Sequence, residues 1–409
     1  MTIGLKDKEI IKITKKTLLK YKLCDHCLGR VFAKVEHETT NQQRGKILRG
    51  NLKNKRKTKT LNCWLCDGLF DELQHFSELI TESLKEYQYD TFLIGSKVDE
   101  DILNKEQQLY EYTGSKYAEP IKTELNREIG KLLEKKLGKD VDFKDPDIMV
   151  IIDTAFDIVS LQIKSLFIYG RYKKYVRDIP QTRWFCRICQ GKGCRRCNYS
   201  GQMYKTSVEE LIAKEILIKT KGEDQSFHGC GREDIDVCML GNGRPFVLEI
   251  KNPKIRNLDL SKLESTINNK DTDLIAVSDL RFSNKDEIIR IKKATFRKKY
   301  RVIFNTGIPI NNEKLKKAVE SLRGSRISQF TPSRVAHRRA NIVREKQIYN
   351  CNLDSLDGTI ATLTLEAESG TYIKELVTGD NEKTKPNISD ILGAPCKVLK
   401  LDVIEIKGE

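Results

Sequence analysis

Residues 231–253 read GREDIDVCMLGNGRPFVLEIKNP. Arg232, Glu233, Asp234 and Asp236 crowd a short stretch between Gly231 and Gly241, and the apolar run PFVLEI follows. Glycine adopts backbone angles closed to other residues, so the pattern predicts a tight loop that presents carboxylates ahead of a strand. Asp234 is the candidate reactive carboxylate. Asp236 is its rival, because two residues apart in extended chain the side chains point to opposite sides. Either could instead cap a turn or pair with Arg232.

Around this loop the periodicity alternates between helix and strand. SVEELIAKEILIK, from Ser207, carries Val208, Leu211, Ile212 and Leu217 as one apolar stripe, and Ser207 with Glu210 reads as a capping box. PFVLEI, KYRVIFN, TIATLTLEAE and KVLKLDVIEIK read as strands. Upstream, FDELQHFSELITESLKEY and EPIKTELNREIGKLLEKKL predict helices, DTFLIGS a strand, and IMVIIDT a strand of the fully buried kind. The fold class is α+β: a layered α/β region, then a domain with a mixed, largely antiparallel sheet.

A chain of 409 residues exceeds one ordinary core and predicts two to three domains. No apolar run approaches the roughly 20 residues a membrane helix needs, and Lys or Asp interrupts each short apolar stretch of the N-terminus. A cytoplasmic location is expected, with no membrane and no obligate protein partner. Lysine plus arginine number 74 against 58 acids, a net charge of +16 that attracts polyanions. Nucleic acid is the expected partner. Arg44, Lys46, Arg49, Lys53, Lys55, Arg56, Lys57 and Lys59 occur with no acid among them and read as a phosphate-contacting loop, or as a solvated tract.

Eight of the twelve cysteines fall in CxxC pairs. Cys24, Cys27, Cys63 and Cys66 bracket the basic stretch, and two such turns supply the four-thiolate shell of a structural zinc. His26 reads as a turn residue, not a ligand. Cys186, Cys189, Cys194 and Cys197 form a weaker second cluster, either zinc or reduced thiols, folded back at Gly191 and Gly193 and decorated by Arg187, Lys192, Arg195 and Arg196. Cys230, Cys238, Cys351 and Cys396 are expected to be small buried residues.

The GREDxDV loop with GNGRPF, followed in order by KKYRVIF (298–304), TPSRVAHRRA (331–340) and ESGTYIKEL (368–376), resembles the archaeal and eukaryotic tRNA pseudouridine synthases that carry a THUMP domain and modify the T-loop. IIDTAFDIVSLQIKSLFIYGRYKKYVRDIPQTRWFC is similar to the end of that family's THUMP region. The resemblance implies an N-terminal zinc module (1–66), a THUMP-like RNA-binding domain (67–182), the second cysteine cluster as linker (183–202) and a pseudouridine synthase catalytic domain (203–409). It implies isomerisation of uridine 54 and/or 55 of tRNA, with no organic cofactor and Asp234 as catalytic carboxylate. Tyr300, Tyr372, Lys374 and Arg232 would contact substrate, with Tyr372 toward the base and Lys374 toward Asp234. Arg334, His337, Arg338 and Arg339 would form a patch for tRNA phosphates. One departure stands out: the family's DVR is DVC here, so Cys238 replaces an arginine, and Arg232 and Arg244 are the nearest substitutes in sequence. A noncatalytic zinc-containing THUMP tRNA-binding protein would share the charge and the cysteines without needing the loop, the KYR strand and the GTYIK turn together. A sulfurtransferase or methyltransferase is disfavoured, since no SGGxDS or GxGxG loop is present.

Overall fold

The computed structural model describes residues 4–36, 38–52 and 63–408. It divides into two compact units, Met1–Lys164 and Ser165–Glu409. The expected segments 1–66 and 67–182 do not separate at 66, because Leu23, Cys24, Leu28 and Cys63 share one buried core with Ile121, Leu125, Ile148 and Val150. Nor does the second segment run to 182, since Leu166–Lys174 pairs into the other unit's sheet.

In the first unit the strands are β1 (Thr91–Lys97), β2 (Asp140–Val141), β3 (Ile148–Asp153) and β4 (Ile158–Ile163), in the order β2-β1-β3-β4. β1 runs parallel to β2 and β3, and β4 antiparallel to β3. The helices Leu73–Leu84 and Ile121–Leu137 pack on one face. Hence β3 is not buried throughout: Ile148, Val150 and Ile152 are in the core while Met149 and Ile151 are half-covered. The helix Glu100–Thr113 was not foreseen, because its apolar residues are diluted by charge.

The arginines of the basic stretch depart from expectation. Thr40 caps the helix Asn41–Asn51, and its Arg44 and Arg49 are turned inward. Arg44 donates to the carbonyls of Val35, Glu36 and Thr39, and Arg49 Nε to Asp25 at 2.7 Å. A buried guanidinium must spend its five donors inside the protein, so these two cannot serve phosphates. Lys53, Lys55, Arg56, Lys57 and Lys59 lie outside the described residues.

The same helix crosses the short helix Asp25–Arg30 at backbone contact. A Cβ on Gly29 would lie 1.8 Å from the Asn41 carbonyl oxygen, and one on Gly45 2.0 Å from that of Asp25.

The second unit is a 10-stranded sheet. Its strands are β5 (Leu166–Lys174), β6 (Asp224–Gly229), β7 (Val237–Lys251), β8 (Ile275–Ser283), β9 (Arg297–Asn305), β10 (Arg326–Phe330), β11 (Val343–Asp357), β12 (Ile360–Ala367), β13 (Thr384–Lys385) and β14 (Lys397–Lys407). The order is β13-β10-β11-β12-β9-β14-β7-β5-β8, with β6 on β7. All pairs are antiparallel except β14 with β7, where Leu401 faces Val237 and Val403 faces Met239. β7 starts eight residues before the expected PFVLEI and carries the GNG sequence as an irregularity against β5. Gly241 there has φ 61°, and a Cβ on it would strike the Ile404 oxygen. The helix Val208–Thr220 buries Val208, Ile212 and Ile216 in the sheet's core. Ser207 caps its Glu210 amide, while the Glu210 carboxylate accepts from the Ser207 hydroxyl, half of the expected box.

Gly45→Ala should cost about 3 kcal/mol or more, since neither backbone can yield. Gly130→Ala, in a helix with open space around the missing Cβ, should instead stabilise by about 0.5–1 kcal/mol. Thermal melts of the two variants check the contrast.

Candidate active site

The stretch Cys230–Asp236 connects β6 to β7 and is anchored from beneath by buried charge. Glu233 is 6% exposed. Tyr172 donates to it at 2.8 Å, and Arg244 Nε lies 2.8 Å away as a charge partner. Gln181 donates to Tyr172 and to the Gly231 carbonyl, and Arg244 Nη1 to the Cys230 carbonyl. Lys174, fully buried, directs its ammonium to the carbonyls of Ile179, Ile235 and Asp234 at 3.0, 3.0 and 3.4 Å. Arg177 donates to the carbonyls of Asp236 and Leu401 and pairs with Asp402.

Above this floor is a cleft of about 590 Å³, lined by Arg232, Asp234, Lys298, Tyr300, Arg334 and Tyr372 among others. Arg334 Nη1 is 2.7 Å from Asp234 Oδ2, and its Nε 2.6 Å from Glu375. Lys374 opens the helix Ile373–Thr378 and reaches Asp236 at 2.7 and 2.8 Å, with Asp234 Oδ2 farther at 3.5 Å. Lys374 thus meets both aspartates and Asp236 more closely, which refines the expectation that it faces Asp234. Burial raises the Asp236 carboxyl, but the hydrogen bond and charge of Lys374, then the charge of Arg334, outweigh it and hold that group below the usual carboxylate range. Asp236 does not line the cleft.

Tyr372 exchanges backbone hydrogen bonds with the Gln329 amide, which fixes the turn before that helix. Tyr300 is on β9, between β12 and β14, inside the sheet and not at its edge. Burial pushes its phenol up to about 12. Lys298, two residues earlier on the same face, is 8% exposed and has a hydroxyl contact to Ser369 at 3.5 Å. Burial, then the positive charge of Arg244, pulls its ammonium down to about 8. Arg232 lies over the Trp184 ring at 4.9 Å.

Arg244 is spent on Glu233 and the Cys230 carbonyl. Cys238 is buried against the Tyr175 carbonyl, Arg177 holds the backbone beside it, and Arg334 supplies the guanidinium at Asp234. Arg334 is therefore tied to carboxylates and not presented as a phosphate patch. Arg339 lines the cleft, and the side chains of His337 and Arg338 lie outside what the structure describes.

Both cysteine clusters assemble, with all four Sγ atoms of each within 4.8 Å of one another. A tetrahedron of sulfurs 2.3 Å from a zinc has edges of about 3.8 Å. Cys24–Cys66, Cys186–Cys194, Cys189–Cys197 and Cys194–Cys197 lie at 3.7, 3.8, 3.8 and 3.7 Å. Amides of Cys24 and Cys27 in the first group, and of Gly193, Cys194 and Gly201 in the second, point at these sulfurs, as thiolates require. The donor sets fit zinc. His26 stacks on Phe70 and pairs with Glu124, so its ring is engaged away from the sulfurs. Cys230, Cys238, Cys351 and Cys396 are all buried.

The family model described as "Pus10, C-terminal" matches residues 167–407. This chain belongs to the Pus10 family. A second model, "Pus10 THUMP domain, archaeal", matches residues 76–153, inside the first unit. Curated relatives named "tRNA pseudouridine synthase Pus10" include those of Methanothrix thermoacetophila, 37% identical over 94% of this chain and 92% of the relative. The Methanothermobacter marburgensis relative is 42% identical over 94% and 95%, and the Methanocaldococcus jannaschii relative 41% over 96% and 94%. A solved Cbf5–Nop10–Gar1 complex aligns over 49% of this chain and 45% of the other at 16% identity and a TM-score of 0.31, too weak a likeness to carry an argument. Among the described residues no helix is long and apolar enough to cross a membrane.

The buried Lys298 has a pH signature. Its folded value of about 8 lies below the ordinary 10.5, so the folded state binds the proton less tightly than the unfolded chain. The penalty is fully present below about pH 8 and fades as pH rises from 8 toward 10.5. Lys298→Met should therefore stabilise the protein at pH 7 by about 1 kcal/mol or more, an advantage that shrinks by pH 10. Denaturant melts at both pH values measure it.

Proposed function

We propose that this Pus10 chain is a tRNA pseudouridine synthase, an isomerase acting on uridine 54 and/or 55 of the T-loop, with Asp234 as its catalytic carboxylate. The observation that carries the assignment is that Asp234 opens into the cleft among Arg334, Tyr300 and Tyr372, whereas Asp236 is spent on Lys374. The membership, shared with relatives of matching length, supplies the reaction class.

The reaction breaks the N1–C1′ bond, turns the uracil, forms C5–C1′ and releases the C5 proton while N1 takes one up. It needs a carboxylate at the sugar, attacking C1′ or taking a proton from the ribose, and no redox partner. Arg334 and Lys374 both meet Oδ2 of Asp234, which leaves Oδ1 for the sugar. Tyr300 offers a face to the extruded base, a contact worth roughly 1–3 kcal/mol against unstacking. Its phenol, raised to about 12 by burial, is protonated at neutral pH, as an unburied tyrosine's also is. Tyr372 and Arg232 complete the cleft wall on the substrate side. The cytoplasm, where tRNA is modified, is the proposed location.

Each cysteine cluster would hold one zinc, closed by four thiolates, so the metal pins chain segments and performs no chemistry. Metal analysis of the purified protein should give two zinc ions per chain. One alone would assign the metal to a single cluster, and Cys63→Ser with Cys197→Ser would identify which.

Tritium release from tRNA carrying 5-tritiated uridine tests the activity. Asp234→Asn should lower release by roughly 10³-fold or more, with tRNA binding retained. Asp236→Asn should cost far less, through Lys374. Loss with Asp236→Asn and survival with Asp234→Asn would reverse the assignment. Transcripts with a single uridine at position 54 or 55 separate the two targets.

A further inference from the structure

The second cysteine cluster has a surface that holding a metal does not explain. The chain from residue 183 to 202 folds back on itself: Phe185 bridges to Gln202, the Cys186 amide donates to the Gly201 carbonyl, and the Met203 amide to the Trp184 carbonyl. Gly191 and Gly193 take left-handed angles in the turn, with φ 98° and 86°. A small knuckle of this kind would ordinarily hide its apolar side chains. Here Phe185 is 51% exposed, Ile188 63% and Tyr199 71%.

Charge on the same surface is of one sign. Between residues 179 and 207 there are six lysines and arginines and no acid. Arg187, Lys192, Arg195 and Arg196 are exposed, and none pairs with a carboxylate among the described residues. Four thiolates around a Zn²⁺ carry −2, so the segment stays positive when loaded. A protein partner seeking an apolar patch would have to bury these cations. A polyanion with flat, stackable faces meets both demands at once, because base faces stack on aromatic rings while phosphates take the arginines.

The knuckle also borders the cleft. Trp184 holds Arg232, a cleft-lining residue, over its ring at 4.9 Å, and Tyr204 meets Trp184 in a T-shaped contact at 5.6 Å.

We infer that the Cys186–Cys197 knuckle is an RNA clamp at the rim of the cleft, with Tyr199 and Phe185 stacking unpaired nucleotides next to the target and Arg187, Arg195 and Arg196 holding their phosphates. The inference rests on the synthase reading for the identity of the RNA, but not for the binding. Arg183 already covers one side of Phe185 at 4.7 Å, so Tyr199 is the freer platform.

The test uses the full chain with its zinc. Tyr199→Ala should raise the Kd for unmodified tRNA roughly tenfold. Arg195→Gln with Arg196→Gln should weaken binding and lower the slope of log K against log salt by roughly 1.5. In both variants kcat at saturating tRNA should stay within twofold of wild type while KM rises. Metal analysis and melting temperature, unchanged from wild type, show that the knuckle is intact. A Kd within twofold of wild type for both variants overturns the clamp, as does a Tyr199-dependent self-association with RNA binding unaffected. Because Kd is read without turnover, a wild type that binds tRNA at the knuckle yet releases no tritium would retain the clamp and remove the synthase.

Discussion

The loop that carries Asp234 stands on buried cations. Lys174 and Arg244 are withdrawn from water beneath it, and each satisfies itself with atoms of the loop: Lys174 with the carbonyls of Asp234 and Ile235, Arg244 with Glu233 and the Cys230 carbonyl. Burying an ion costs several kcal/mol unless its donors are matched, so the loop backbone is the solvation shell of these charges. Moving it would strand them. Asp234 is thereby held at the mouth of the cleft by groups that never touch its carboxylate.

Above the loop the charge is again mostly positive. Arg334 and Lys298 line a space with few acids, and Arg334 is partly compensated by Asp234 and Glu375. Lys298 meets the Ser369 hydroxyl, and burial, then the charge of Arg244, lowers its proton affinity. Cationic side chains thus outnumber acidic ones in the cleft lining.

Much of this was legible in the sequence. Strands such as KYRVIFN and TIATLTLEAE announce themselves by alternation, and the CxxC pairs by their spacing. Lys298 could have been found as well, since it shares a face with Tyr300 two residues on. What escaped depends on contacts between distant residues. Arg334 is 100 positions from Asp234, and Lys174 is 60 from the loop it holds. No local pattern reports such pairings. The basic stretch misled for a related reason: a count of charges registers Arg44 and Arg49 but not the carbonyls and the Asp25 carboxylate that absorb them.

The strand order bears on how the second unit comes into being. β14 alone joins β9 to β7, so the half of the sheet that carries Tyr300 and the half that carries Asp234 share no ladder without it. Its residues, 397–407, follow those of every other described strand. During synthesis the two halves must wait, each with an unpaired edge, until that strand emerges and zips between them. Such non-local closure is slow and leaves edges open to wrong partners meanwhile. The cleft therefore closes only after every other described strand has been made, and a nascent chain that stops short of this strand has its aspartate and its tyrosine but no place where the two can meet.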